Sequence, residues 1–322
     1  MEATRSLGGG EPPRGGPTRA GASGGSVRLR RSLVGYAFLT PWLIGFVVFT
    51  LGPMIASLYL SFTDYNFLQP PEPVGLENYL RMFGGDPRFG KAILVTITYV
   101  IISVPLQLLF ALGLALLLDR AIAGVTVYRA IFYLPSLLGT SVAVAVLWRT
   151  VFGQEGLVNA ALGFLGVEVS KSWVGSPDTA LFTLVALNVW TFGSPMIIFL
   201  AGLRQIPTIY YEAAAVDGAG PLRRFGMITI PLLTPVIFFN LILQTIGAFQ
   251  AFVPAYIVSG GSGGPADSTL FYTLYLYQRG FASFDMGYAS AMAWLLLVAI
   301  ALVTGLNFLL SRFWVFYSDE AR

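Results

Sequence analysis

KAILVTITYVIISVPLQLLFALGLALLL, residues 91–118, decides what kind of molecule this is. The stretch holds no acidic residue, and its one lysine, Lys91, stands at its edge. A hydrocarbon core about 30 Å thick needs roughly 20 apolar residues as an α-helix but only about 10 as a barrel strand, so a run of this length predicts a spanning helix. With no water in the bilayer core, every backbone N–H and C=O must be paired, which helices and closed barrels alone achieve. Five further runs have the same character, at about 33–60, 127–149, 180–203, 229–257 and 287–311. Each is long enough to span with some tilt.

The whole composition agrees with that reading. Of 322 residues, 56% are hydrophobic and 11% charged, against about 25% charged in an ordinary soluble domain. Mean hydropathy is +0.73. The expected fold class is therefore an all-α, polytopic membrane protein of about six transmembrane helices. Pro41, Pro53, Pro105, Pro135, Pro195, Pro235 and Pro254 fall inside the runs, where neighbouring helices can re-satisfy the freed carbonyls. Kinks of this kind suit a protein that encloses a path.

Residues 1–30 are rich in Gly, Pro and Arg and too poor in apolar residues to fold. They read as a disordered cytoplasmic tail ahead of a membrane domain at 31–322. A cleaved signal peptide is the competing reading, but the run at 33–60 is too long for one and lacks a small-residue cleavage site. With the N-terminus inside, 13 Lys and Arg face the cytoplasm and 6 the outside. That asymmetry favours both termini in the cytoplasm, consistent with an even number of spans. The net charge of +3 thus reads as topology and not as a nucleic-acid surface, since 6 of the 19 basic residues precede position 32.

Several chemistries are excluded. Cys and His are both absent, which removes disulfides, thiol catalysis and the usual zinc sites, so no cofactor or metal is expected. All 16 acidic residues lie outside or at the edges of the apolar runs, leaving no carboxylate at bilayer depth to relay protons or bind sodium. An intramembrane protease lacks its histidine or its paired aspartates. The two lysines, Lys91 and Lys171, stand in no phosphate-loop motif. If the protein drives uphill transport, another subunit supplies the energy. A self-contained secondary transporter or channel is the alternative; inverted repeats and midplane ionisable groups would mark it, and neither is visible.

The inner loop 204–228 is the longest on its side. Within QIPTIYYEAAAVDGAGPLRRFGMITIPLLTP (205–235), Pro207 is placed to start a helix. Thr208–Val216 follow with Ile209, Ala213 and Val216 on one face, and Gly218, Gly220 and Pro221 break the run before a second short helix. The result is a helix–bend–helix knob with Glu212 and Asp217 near the bend and Ala213, Ala214 and Gly218 small enough for another backbone to approach. An ordinary solvated loop remains the plainer alternative.

These residues resemble the signature of the membrane permease subunits of ATP-binding-cassette importers that work with a solute-binding protein. That signature is EAA, three residues, Gly, nine residues, then I-x-L-P. Here it falls on Glu212, Ala213, Ala214, Gly218, Ile228 and Pro231, with Ile230 where Leu is usual. The resemblance covers roughly residues 30–317 and is nearest the carbohydrate branch, the first permease of maltose, glycerol-3-phosphate and lactose systems. SFTDYN…VGLENY, YRAIFYLP, IIFLAGLRQIP, GGSGGP and FWVFY carry it. It implies a type I importer permease fold in the inner or plasma membrane of a prokaryote, and a non-catalytic subunit that transmits ATPase motion through the loop carrying Glu212, Ala213, Ala214, Asp217, Gly218 and Pro231. It also implies a second, different permease, a dimer of ATP-binding subunits, an extracytoplasmic binding protein and a sugar as substrate.

A sugar path needs hydrogen-bonding side chains inside the bundle. Asn188, Gly193, Asn240, Gln244 and Gln250 lie in or at the ends of the later runs, and the resemblance favours Asn188, Gly193 and Gln244. Each also has a plain reading, because Asn and Gln in spans commonly hold helices together with bonds of about 1 kcal/mol.

Overall fold

The computed structural model describes residues 36, 38–119, 124–139 and 141–316. The tail expected at 1–30 and the last residue of FWVFY lie outside them. The chain divides into two compact units, Met1–Ala56 and Ser57–Arg322. Helix α1, Phe38–Leu60, is 23 residues long and widens to π geometry over Val47–Leu51, just before Pro53, which has no N–H to give the preceding turn.

Beyond it, a two-stranded antiparallel ladder, β1 (Thr63–Asp64) with β2 (Glu72–Pro73), leads to α2 (Glu77–Gly84) and α3 (Pro87–Leu118). Then come α4 (Val125–Leu138), α5 (Val142–Val151), α6 (Leu157–Phe164), α7 (Pro177–Trp190) and α8 (Gly193–Leu203). The loop 204–228 contains α9 (Thr208–Val216) and α10 (Pro221–Arg224). A π segment, Phe225–Thr229, joins α10 to α11 (Ile230–Phe249). Last are α12 (Val253–Val258), α13 (Tyr272–Tyr277) and α14 (Met286–Ser311).

Helix α3 is the axis of the second unit. Asp86 caps it, accepting from the Arg88 and Phe89 amides, with Pro87 in the first turn. Ala92, Thr96, Tyr99, Ser103, Gln107, Ala111 and Ala115 form a buried stripe at three- and four-residue spacing, and three alanines in it are fully covered. Such small residues bring helix backbones close where the hydrophobic effect does not drive association. Helices α7, α8 and α11 pack on α3. On its other side Leu94, Ile97, Ile101, Leu109 and Leu117 are exposed, a surface suited to lipid.

Among the described residues, by length and apolarity four helices can cross a membrane, and up to six if α4 with α5 and α7 with α8 each count as one span. The runs at 127–149 and 180–203 read in the sequence as single helices, and both are broken. For the second the cause is local: α7 and α8 meet at 42° because Pro195 has no N–H for the Thr191 carbonyl four residues earlier.

Candidate functional site

The freed Thr191 carbonyl is where three elements meet. It accepts from Ser136 Oγ of α4 at 2.8 Å and from Gln107 Nε2 of α3 at 3.2 Å. Ser136 Oγ in turn accepts from the Ser194 amide at 2.8 Å. Asn188 Nδ2 donates to Gln107 Oε1 at 3.1 Å, and Thr191 Oγ1 to the Asn188 carbonyl at 2.7 Å. The helices approach closely here because two glycines allow it: a Cβ on Gly139 would meet Thr191 Cγ2 at 2.0 Å, and one on Gly193 would meet the Phe132 carbonyl at 2.7 Å.

Beside this junction lies a cavity of about 340 Å³ lined by Asn188, Thr191, Gln250, Tyr99, Phe252 and their neighbours, none of them charged. Amide and hydroxyl groups on an otherwise apolar wall can orient a neutral hydroxylated ligand.

The candidate path residues separate. Asn188 and Gln250 line the cavity. Gly193 is buried at the contact of α8 with α4 and acts there as a spacer. Gln244 is half-buried on α11. Asn240 is fully buried, and neither its Oδ1 nor its Nδ2 has a partner among the described residues. Gln107, Ser136 and Thr191 were missed by sequence reasoning. The one available signal was Pro195, whose missing donor required some group to approach Thr191.

In the loop 204–228, α9 ends in a motif that explains its glycine. The Ala219 amide donates to the Ala214 carbonyl at 2.9 Å and the Gly218 amide to the Ala215 carbonyl at 3.1 Å, the paired bonds of a Schellman cap with Gly218 at φ +74°. Arg224 Nε closes the bend on the Ala219 carbonyl at 2.7 Å. The Tyr211 and Thr229 hydroxyls, 2.9 Å apart, tie α9 to the start of the fifth span. Behind α9 a concavity of about 560 Å³ brings together Ala213, Ala214, Asp217, Ile228 and Pro231. Glu212 and Gly218 are exposed. Ile209 and Val216 are 66% and 89% exposed, whereas Ala213, expected on the same face, borders the concavity.

At the far end of α3 stands a cluster no motif announced. Asp86, the α3 cap, accepts from Tyr275, from Tyr288 at 2.8 Å and from Arg279 at 3.0 Å. Arg88 pairs with Asp267 at 2.7 Å and Arg81 with Asp285 at 3.0 Å. Burial would raise the Asp86 carboxyl, but the hydrogen bonds from Tyr275, Tyr288 and Arg279 outweigh it and hold the pKa at about 2.

Comparison with known proteins identifies relatives of the chain as a whole. A family model described as the binding-protein-dependent transport system inner membrane component matches residues 82–315. A probable ABC transporter permease protein of Bacillus subtilis, YesP, is 53% identical over 295 residues, 92% of this chain and 95% of that protein. The trehalose/maltose transport system permease protein MalF of Thermococcus litoralis is 34% identical over 291 residues, 89% of this chain and 96% of the other. The lactose transport system permease protein LacF of Rhizobium radiobacter is 32% identical, over 91% and 99%. Among solved structures, a bacterial alginate ABC transporter in complex with an alginate pentasaccharide-bound periplasmic protein contains a chain that superposes with a TM-score of 0.76 at 23% identity, covering 89% of this chain and 96% of that one; the likeness is one of fold.

Proposed function

The chain belongs to the family of binding-protein-dependent transport system inner membrane components, and from that premise we propose that it is one of two permease subunits of an ATP-driven sugar importer. The sugar assignment draws support from relatives named for trehalose/maltose and lactose transport and from the uncharged, amide-lined cavity. In this reading Asn188 and Gln250 contact the sugar, with Gln244 further along the path. Gly193 keeps α8 close to α4, and Asn240 lies deeper in α11.

The observation that carries the mechanism is the exposed face of α9. A helix that leaves Ile209 and Val216 in water is unfavourable alone and favourable once a partner covers it. The partner is an ATP-binding subunit. Glu212, Ala213, Ala214, Asp217, Gly218 and Pro231 then form the seat through which ATPase motion reaches α11. The bundle itself does no chemistry. A solute-binding protein docks at the end of the bundle that carries Asp86, both chain termini face the cytoplasm, and a second, different permease completes the path.

Purification of tagged chain from native membranes in mild detergent tests this. Recovery of a second permease together with an ATPase whose activity a binding protein stimulates is the expected result. Recovery of the chain alone, still moving solute in liposomes without ATP, overturns it in favour of a secondary transporter.

A further inference from the structure

Four aromatic rings connect the cavity to the end of the bundle remote from α9. Phe281 is 55% exposed and stacks on Tyr277, with centroids 5.3 Å apart and planes inclined by 27°. Tyr277 lies 5.5 Å from Tyr256 and 5.2 Å from Phe252, and Phe252 forms part of the cavity wall beside Asn188 and Gln250. The rungs are therefore graded, from exposed through half-buried to the cavity.

Two details set these rings apart from simple packing. The buried Tyr272, Tyr275 and Tyr288 nearby all spend their hydroxyls on hydrogen bonds within the protein, as buried Tyr hydroxyls usually do, whereas among the described residues the hydroxyls of half-buried Tyr256 and Tyr277 make none and are not enclosed. The Tyr256 ring is also braced. Gly261, at φ +80°, lies against it so closely that a Cβ would stand 3.2 Å from Cε2, and Gln278 Nε2 holds the Gly261 carbonyl at 2.7 Å. A braced ring with a free hydroxyl offers a flat apolar face and a polar edge, the two features a sugar ring presents in return.

Resting on the sugar reading above, we propose that Phe281, Tyr277, Tyr256 and Phe252 form an aromatic track that takes up sugar rings at the outer end and passes them to the cavity at Asn188. Stacking on C–H faces tolerates different sugars, so the track receives cargo and the amides of the cavity select it. A spacing of 5.2–5.5 Å between rungs lets a ring engage the next face before leaving the last.

The test is saturation-transfer NMR on the purified complex in detergent with lactose and maltotriose as probes. Transfer from aromatic protons to both sugars is expected, reduced at least threefold in Tyr277→Ala and Phe281→Ala and restored in Tyr277→Phe and Phe281→Trp. In parallel, Tyr277→Cys and Phe281→Cys, the only thiols in a chain without cysteine, should react with a membrane-impermeant thiol reagent in the assembled complex. No transfer in the wild-type complex, equal transfer in the Ala variants, or thiols shielded from the reagent would overturn the track. Co-purification of the ATP-binding subunits does not depend on these rings, so failure of the track and failure of the importer reading are told apart.

Discussion

The bonds that shape the α9 bend join near neighbours, Ala219 to Ala214 and Gly218 to Ala215, and the Tyr211–Thr229 pair reaches 18 positions. Around Asp86 they join residues 189 to 202 positions apart. The difference extends to what each region leaves in water. The α9 knob shows Ile209 and Val216 to solvent, while at the other end Asp86 is 5% exposed and Arg279 25%, with acceptor and donors matched. A region held by local bonds can move as a unit when a partner takes hold of it. A region whose bonds cross from α3 to α13 and α14 resists such motion, because any displacement breaks several charge-assisted bonds together. In the proposed importer the knob is the part that moves and the Asp86 cluster the part that stays in place.

Disabling each region in turn should separate these roles. The largest effect is expected from Gly218→Val. A β-branched residue at φ +74° is disfavoured, so the Schellman bend is lost and ATP-dependent uptake in proteoliposomes falls to background while membrane insertion is unchanged. Normal uptake by a fully assembled variant would remove the coupling role. Asp86→Ala should instead act on stability. It strands Arg279 and uncaps α3, at a cost of about 3 kcal/mol, read as a lower thermal-unfolding midpoint of the protein in detergent.

Acid should reveal the same carboxylate. Its folded pKa of about 2 lies below the ordinary 3.8, so its stabilisation is complete above the unfolded value and is lost as pH falls from about 4 toward 2. Midpoints measured across that window should drop, and drop less in Asp86→Asn; identical profiles would mean the cluster does not hold the charge. Ser136→Ala, which takes one donor from the Thr191 carbonyl, should cost about 1 kcal/mol. Arg81→Ala is the smallest. Its pair with Asp285 is half open to solvent, with Arg81 44% exposed, and such pairs contribute about 0 to 1 kcal/mol, so an unchanged midpoint is expected.

The knob was legible in the sequence for the same reason that it is locally built. EAA followed by Gly218 places small residues, a helix and a left-handed cap within eleven positions, and each of those features acts through neighbours in the chain. Asn188 and Gln250 stood out as polar residues in or at the end of apolar runs. Their separation from Asn240 and Gly193 did not, since burial against a helix and exposure to a cavity leave the same mark on a sequence. The break at Thr191 was half legible: Pro195 announces a freed carbonyl, but nothing near it says that Gln107 and Ser136 arrive to satisfy it.

The sequence by itself determined that this chain lives in lipid as helices, about how many times it crosses, where the helix–bend–helix of the loop 204–228 falls, and that it contains neither cysteine nor histidine. Each of these follows from composition or from patterns shorter than about 30 residues, the scale on which a bilayer and a helix impose their constraints. Only the tertiary structure decided that Asp86 is a shared acceptor, that Thr191 is a junction of three elements, and that four aromatic rings from two separate segments stand within stacking distance. Those depend on which helix faces meet, and in a chain apolar almost all round, periodicity does not specify the faces.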